Sequence, residues 1–347
     1  MDRSLTPRRP RTKITLDDVA AHAEVSAITV SRALRNPSRV SEATREKVQQ
    51  AASELGYVPD LAAQALASKR TDVIGAILPS LTNNVFSEVL RAMFEAVEGT
   101  PYQLQLGNSR YKILEEERLV RTFLSQKPAG LILSGIDQSL ATRTLLEQAD
   151  VPIVQIMELG TDPVDMMVGF SHADAARAGV EHLLAQGYRQ IGFLGARLDP
   201  RSMRRLQGYR QAMEAAGLLD DDLIVTTSEP SSASVGSTLC AGLLTRRSDV
   251  DALFCNNDDV ALGALFEAQR RGLIIPDQLG ICGFNDLDIM ANAHPTLTSV
   301  RTPRAQMGRD ALTMVIEAIE GRRPEKAQRD LGHMVMTRQS TCRSKCP

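Results

Sequence analysis

What this 347-residue chain lacks excludes much of what it could do. No apolar run reaches the roughly 20 residues that a membrane-spanning helix needs, so no membrane partner is expected. The basic opening stretch (Arg3, Pro7, Arg8, Arg9, Pro10, Arg11, Lys13) has no apolar h-region behind it, so a secretory signal is not expected and a cytoplasmic location is. There is no G-x-G-x-x-G or G-x-x-x-x-G-K-[ST] for a nucleotide, no H-E-x-x-H for zinc and no G-x-S-x-G for an acyl-enzyme. Only five histidines occur, none at metal-ligand spacing from another; His172, His182 and His294 read as surface or loop residues. Cysteine is scarce too. Cys240, Cys255 and Cys282 sit in apolar surroundings and read as buried thiols of a reducing compartment. Cys342 and Cys346 stand in a polar tail, where a C-x3-C spacing is weak support for a metal. That tail lacks leucine heptads, so a tetramerising helix is not expected. Neither turnover, nor a metal, nor a cofactor is expected; the sequence points to binding.

What is present is ordinary in composition, 43% apolar and 24% charged, and long enough for two or three domains. The charge is not evenly spread. Residues 1–70 carry 12 Lys and Arg against 8 Asp and Glu, while residues 71–347 carry 28 against 34. A basic piece on an acidic body suits a nucleic-acid reader joined to a regulatory domain. Within the basic piece, apolar residues recur at helical spacing in three short runs: Leu16, Val19, Ala20 and Ala23, then Val25, Val30, Ala33 and Leu34, then Val48, Ala52 and Leu55. Thr15 and Ser26 stand where N-caps belong. In the second run Val30 and Ala33 would face the core. Ala27, Ile28, Ser31, Arg32 and Arg35 would face outward, a set of small, hydroxyl and arginine side chains suited to the major groove.

The stretch from Thr15 to Tyr57 resembles the DNA-binding headpiece of the lactose/galactose repressor (LacI–GalR) family, whose T-L-x-D-V-A-x-x-A-x-V-S-x-x-T-V-S-R-x-L-N pattern it matches almost continuously. Glu24 replaces the family's glycine at a turn that favours positive φ, at a cost of about 1 kcal/mol. The resemblance implies that Thr15, Ser26, Ala27, Ile28, Thr29, Ser31, Arg32, Arg35 and Arg39 face operator DNA. Tyr57, Pro59, Asp60, Ala63 and Leu66 match the family's hinge, in which a two-turn helix over 61–67 folds only on DNA. By that resemblance Leu66, with Ala63 beside it, wedges into the minor groove.

From residue 71 short apolar strands alternate with helices. Strands are expected at 73–78, 103–106, 130–133, 153–157, 167–170, 190–194, 223–227, 252–255 and 279–282. Helices are expected at 85–97, 115–125, 142–149, 173–186, 201–216, 234–245, 260–271 and 303–320. This rhythm predicts parallel sheets covered on both faces, too many strands for one sheet, and so an α/β core of two Rossmann-like subdomains like that of periplasmic binding proteins. The expected organisation is a flexible basic arm (1–13), an all-α helix-turn-helix headpiece (14–57), a hinge (58–70), a core (71–341) and a tail (342–347). The resemblance places chain crossings near Phe170, Thr298 and Asp330. They divide the core into an N-subdomain of about 71–170 with 299–329 and a C-subdomain of about 171–298 with 330–341.

A ligand would bind in the cleft outside the strand ends. Ser80, Asn83 or Asn84, and Phe86 follow the first core strand; Ser134, Glu158 and Phe170 end others. Asn257 and Asp258 lie in N-N-D-D-V-A-L-G-A, where family members hold sugar hydroxyls, and Asp258 is also a candidate helix cap. Arg205 matches the effector-gripping arginine of the family's R-x-x-G-[FYW]. With Arg197, Arg201 and Arg204 it places four arginines at a strand end and helix start, a setting that favours an anion. Asn285 stands in G-F-N-D where many sugar-binding members have aspartate, which removes a negative charge from the cleft. Residues 78–91, 194–201 and 254–259 resemble the branch of gluconate-operon repressors. The resemblance implies a homodimeric, or larger, repressor on a pseudo-palindromic operator, released by gluconate, 2-ketogluconate or another sugar acid. A corepressor ligand or a neutral sugar is the alternative, and a sugar-acid binding protein or enzyme without DNA is the alternative of another class.

Overall fold

The computed structural model describes residues 14–35, 39–58 and 70–343. The basic arm, the hinge at 59–69 with Ala63 and Leu66, the side chain of Arg35, and Cys346 lie outside the described residues. The chain divides into two compact units, Met1–Thr71 and Asp72–Pro347.

The first unit holds three helices, α1 (Leu16–His22), α2 (Ala27–Arg35) and α3 (Glu42–Leu55). Thr15 starts α1 with a reciprocal pair of bonds. Its hydroxyl accepts from the Asp18 N–H (3.3 Å), and the Asp18 carboxylate accepts from the Thr15 N–H (2.7 Å). Ser26 Oγ accepts from the Thr29 N–H at 3.2 Å and starts α2. Between the two helices Glu24 adopts φ 55°, the left-handed turn expected of this position. Ser41 caps α3, and Gly56 (φ 63°) ends it. Val19, Val30 and Val48, one from each helix, are fully buried together with Ala33 and Ala51. Burying each valine contributes on the order of 1.5–3 kcal/mol, so a unit this small rests on very few side chains.

The second unit carries twelve strands among its described residues, in two six-stranded sheets. The first contains β1 (Val73–Leu78), β2 (Gln103–Asn108), β3 (Gly130–Ser134), β4 (Ile153–Ile156), β5 (Met166–Gly169) and β11 (Gln328–Asp330), in the order β11-β5-β4-β3-β1-β2. The second contains β6 (Ile191–Ala196), β7 (Ile224–Thr227), β8 (Ala252–Cys255), β9 (Gly280–Asn285), β10 (Thr298–Arg301) and β12 (Met334–Met336), in the order β12-β10-β9-β8-β6-β7. All pairs are parallel except β10 with β12. Helices cover both faces, which is why β6 and β8 read as unbroken apolar runs. The first sheet packs with α4 (Asn84–Val97), α5 (Ile113–Ser125), α6 (Leu140–Glu147) and α12 (Arg304–Ile319). The second packs with α7 (His172–Ala185), α8 (Pro200–Ala215), α9 (Ala233–Arg246) and α10 (Asp258–Arg270), and α11 (Ile289–Asn292) is a single turn beyond β9.

Two differences from expectation matter for the site. Thr298–Arg301 is a strand of the second sheet, so the chain crosses at Thr302 and Pro303, not at Thr298. Likewise β11 keeps Asp330 in the first sheet, and the last crossing follows it. Such strands are hard to read: β10 hides Thr298 and Ser299, β11 is entirely exposed and polar, and β12 has three residues. Among the described residues no helix is long and apolar enough to cross a membrane.

Candidate DNA interface and effector cleft

On α2 the two faces separate as the spacing predicts. Val30 and Ala33 are buried, Ile28 is 64% exposed, and Arg32 is exposed with Arg39 beyond the helix. Neither arginine forms an ion pair among the described residues. Ser31 and Thr29 are half-buried, and Thr15 and Ser26 are exposed caps. Ala27 departs from expectation. It is half-buried and packs on the headpiece core, because the first turn of α2 leans against α1 and α3.

The cleft between the two sheets holds a cavity of about 50 Å³. Phe86, Arg197, Arg201, Arg205, Asn257, Asp258 and Asn285 all line it, as expected. Tyr111, Met157 and Ser231 line it as well, and sequence reasoning missed them. Five other expectations are corrected. Ser80 is turned into its own loop, where its Oγ accepts from the N–H groups of Thr82 and Asn83. Asn83, not Asn84, lines the cavity while capping α4; Asn84 faces a separate hollow near the chain crossings. Ser134 lines an adjoining hollow of about 400 Å³ rather than the cavity itself. Glu158 is buried in the wall. Its Oε1 accepts from the N–H groups of Leu159 (3.2 Å) and His172 (3.4 Å). Phe170 is core, packed against His172 and Phe284. Strand ends were legible, but not which way each end residue turns.

The four arginines also separate. Asp199 caps α8 and pairs with Arg201 at 3.1 Å, which leaves Arg201 neutralised. Arg204 belongs to the wall: it holds Asp137 at 2.6 Å and lies 3.5 Å from Glu158. Arg197, in a left-handed conformation (φ 64°), lies over the Tyr111 ring at 4.1 Å. Arg205 alone is buried without a carboxylate in ion-pair range among the described residues. It donates to the Asn256 carbonyl (2.5 Å) and to His172 Nδ1 (3.1 Å), and lies 4.0 Å above the Phe284 ring. Burial pushes its pKa down, against the pull of Asp199. The ordinary value is so high that it remains a cation at neutral pH.

Asn257, Asp258 and Asn285 line the cavity from the same subdomain as Arg205. Asn257, not Asp258, caps α10: its Oδ1 accepts from the Val260 N–H (3.1 Å), and its amide donates to Ser231 Oγ (2.8 Å). Asp258 is the first helical residue, fully buried. Its oxygens accept from Ser299 Oγ (2.6 Å) and the Leu287 N–H (2.7 Å). Burial pushes its carboxyl up to about 7, with those two bonds opposing. Gly283 makes room for it, since a Cβ there would collide with Asp258 Oδ1. Asn285 ends β9 at φ 110°, is 3% exposed, and its Oδ1 has no partner among the described residues. Its carbonyl accepts from Arg304, which also pairs with Glu88 of α4 at 2.7 Å. The result is a small polar cavity in which the second subdomain supplies a cation, a carboxyl and an unmet amide oxygen, and the first supplies Phe86, Tyr111 and Met157. No group of three His, Cys, Asp or Glu among the described residues is placed to hold a metal.

Residues 15–60 match the model of bacterial regulatory proteins of the lacI family, and residues 180–341 match that of a periplasmic binding protein-like domain. The HTH-type transcriptional regulator GntR of Pseudomonas aeruginosa is 41% identical over 94% of this chain and 95% of its own length. The chain belongs to the LacI family. The regulator of the same name from Escherichia coli K12 is 40% identical over 91% of this chain and 95% of its own. Among solved structures, a LacI-family transcriptional regulator from Silicibacter pomeroyi superposes with a TM-score of 0.88 at 36% identity, covering 95% of this chain and 100% of that one. The lac repressor dimer bound to operator and the anti-inducer ONPF superposes with a TM-score of 0.82 at 27% identity, covering 95% and 99%. As a LacI-family member this chain is a DNA-binding transcriptional regulator, a helix-turn-helix headpiece joined to a periplasmic-binding-protein-like core, and not an enzyme.

Proposed function

We propose that this regulator is a cytoplasmic homodimeric repressor of genes for sugar-acid use, released from a pseudo-palindromic operator when a sugar acid of the gluconate or 2-ketogluconate type occupies the cleft. The observation that carries the ligand class is Arg205, a buried cation with no carboxylate partner on the wall of a small cavity. It receives the carboxylate, and Asp258, with the free Oδ1 of Asn285, accepts from the hydroxyls. Asn257 contributes less than its motif suggests, because its oxygen caps α10. Arg32 and Ile28 meet the major groove, and Leu66 opens the minor groove between paired hinges. The ligand shifts the equilibrium only by binding the released state better than the DNA-bound one.

The test uses full-length protein on an operator recovered by selection from random DNA. Gluconate or 2-ketogluconate releases the protein in a gel shift, and neutral glucose does not. At about 100 times its dissociation constant the acid also stabilises the protein by about 2.7 kcal/mol. Equal calorimetric affinity for acid and neutral sugar would refute the acid reading; a tighter DNA complex would make the ligand a corepressor.

A further inference from the structure

We infer that His172 is a positioning residue: its Nδ1 accepts the Arg205 Nε–H and so aims the guanidinium at the cavity. The inference rests on the reading of Arg205 as the carboxylate-binding group. His172 does not line the cavity and would not touch the ligand. Contrary to the surface or loop position expected of it, it is fully buried at the start of α7, its ring 4.5 Å from the Phe170 ring and 5.8 Å from the Phe284 ring, centroid to centroid. The close approach of α7 and α8 that brings the two residues together depends on Gly208. A Cβ there would strike the Ala173 carbonyl.

An arginine can only donate, so Nδ1 must present its lone pair and Nε2 must carry the hydrogen. With Nε held by His172 and one Nη1 hydrogen held by the Asn256 carbonyl, the terminal Nη1–Nη2 edge is left for a carboxylate. The choice of acceptor is what matters. A carboxylate in this place would fix the guanidinium equally well but would also neutralise it. The neighbouring carboxylate, Glu158, is instead turned to the His172 backbone N–H and faces Arg204. A neutral imidazole holds Arg205 and leaves its charge to the ligand. Burial, together with the nearby charges of Arg205 and Arg201, pushes the imidazole well below its ordinary pKa and keeps it neutral.

Two substitutions separate the acceptor from the ring. His172→Phe keeps a ring between Phe170 and Phe284 and deletes the acceptor. His172→Asn keeps an acceptor near the Nδ1 position and deletes the ring. Calorimetry on the full-length protein compares D-gluconate with its neutral isostere D-gluconamide. His172→Phe should lose about tenfold in gluconate affinity and little in gluconamide affinity, and His172→Asn should stay within about threefold of wild type for both. Wild-type protein that binds the two ligands equally overturns the underlying reading of Arg205. Wild-type discrimination that survives intact in His172→Phe overturns the role of His172 alone, as does equal weakening by both substitutions. Should neither variant fold, nitrogen-15 NMR of the wild-type protein reads the tautomer directly. The Nε2–H form at neutral pH supports the inference, and the Nδ1–H form, which cannot accept from Arg205, overturns it.

Discussion

Helices α2 and α8 both carry arginines, and the structure treats them in opposite ways. On α2, Arg32 stands in water with no ion pair among the described residues, beside an isoleucine that is 64% exposed. On α8, Arg201, Arg204 and Arg205 are each held: by Asp199, by Asp137, and by His172 with the Asn256 carbonyl. A long partner such as DNA brings many charges and settles its own register, so the protein side can stay loose and hydrated. A small ligand brings one charge, so the group that meets it must be fixed and dried beforehand.

The largest effect that should sharpen this contrast is that of Arg205→Ala. Loss of a charged hydrogen bond costs about 1.5–3 kcal/mol, tenfold or more in ligand affinity, while operator binding without ligand stays as in wild type. Calorimetry and gel shift on the same preparation would show it. If operator binding falls with ligand binding, the two helices are not independent and the contrast breaks.

The next effect is a pH dependence. Asp258 has its carboxyl raised to about 7, with the charges of Asp286 and Arg304 also acting on it. A ligand hydroxyl donates to the ionised form. Between pH 6 and pH 8 that form goes from the minor to the major one, so ligand affinity should rise by about tenfold across this window. The ligand's own carboxylate stays ionised throughout. The sign for the unliganded protein is opposite. A raised folded-state pKa binds a proton that the unfolded chain has already released, so this group's contribution to stability fades as pH rises from about 4 to 7. Thermal shift by the ligand should therefore grow with pH, and Asp258→Asn should flatten it.

The smallest effect belongs to α2. Ile28→Gln removes an apolar contact and offers hydrogen bonds to base edges. It should change which half-site is selected from random DNA, by a factor set by roughly 1–3 kcal/mol per base pair, without removing general DNA affinity. The same selected sequence from both proteins would take Ile28 out of the readout face.

Much of this architecture was legible because it repeats local rules. Caps at Thr15 and Ser26 follow from residues that meet their partners within a few positions, the strands β1 and β8 from their apolar runs, and the left-handed turn at Glu24 from the family resemblance. Legibility ended where contacts span the chain. Nothing near His172 announces a bond to Arg205, 33 residues on. Tyr111 enters the cavity from two successive left-handed residues, Arg110 and itself, that no glycine marks. Glu158 and Phe170 follow strand ends as expected but turn into the wall, Glu158 towards the His172 N–H and Phe170 against the His172 ring. A motif also concealed a difference: in Asn257-Asp258 both residues line the cavity, but the amide, not the acid, caps the helix.

Arg204 has one further consequence. It stands on α8 in one subdomain and reaches Asp137 and Glu158 in the other, with its own side chain 25% exposed and that of Asp137 36% exposed. A tie so open to water weakens as ions accumulate around it, over a screening length of about 8 Å at physiological ionic strength. Contacts to DNA phosphates weaken with salt as well. Rising ionic strength should therefore act on this regulator twice, once where it meets DNA and once where Arg204 ties its two subdomains together.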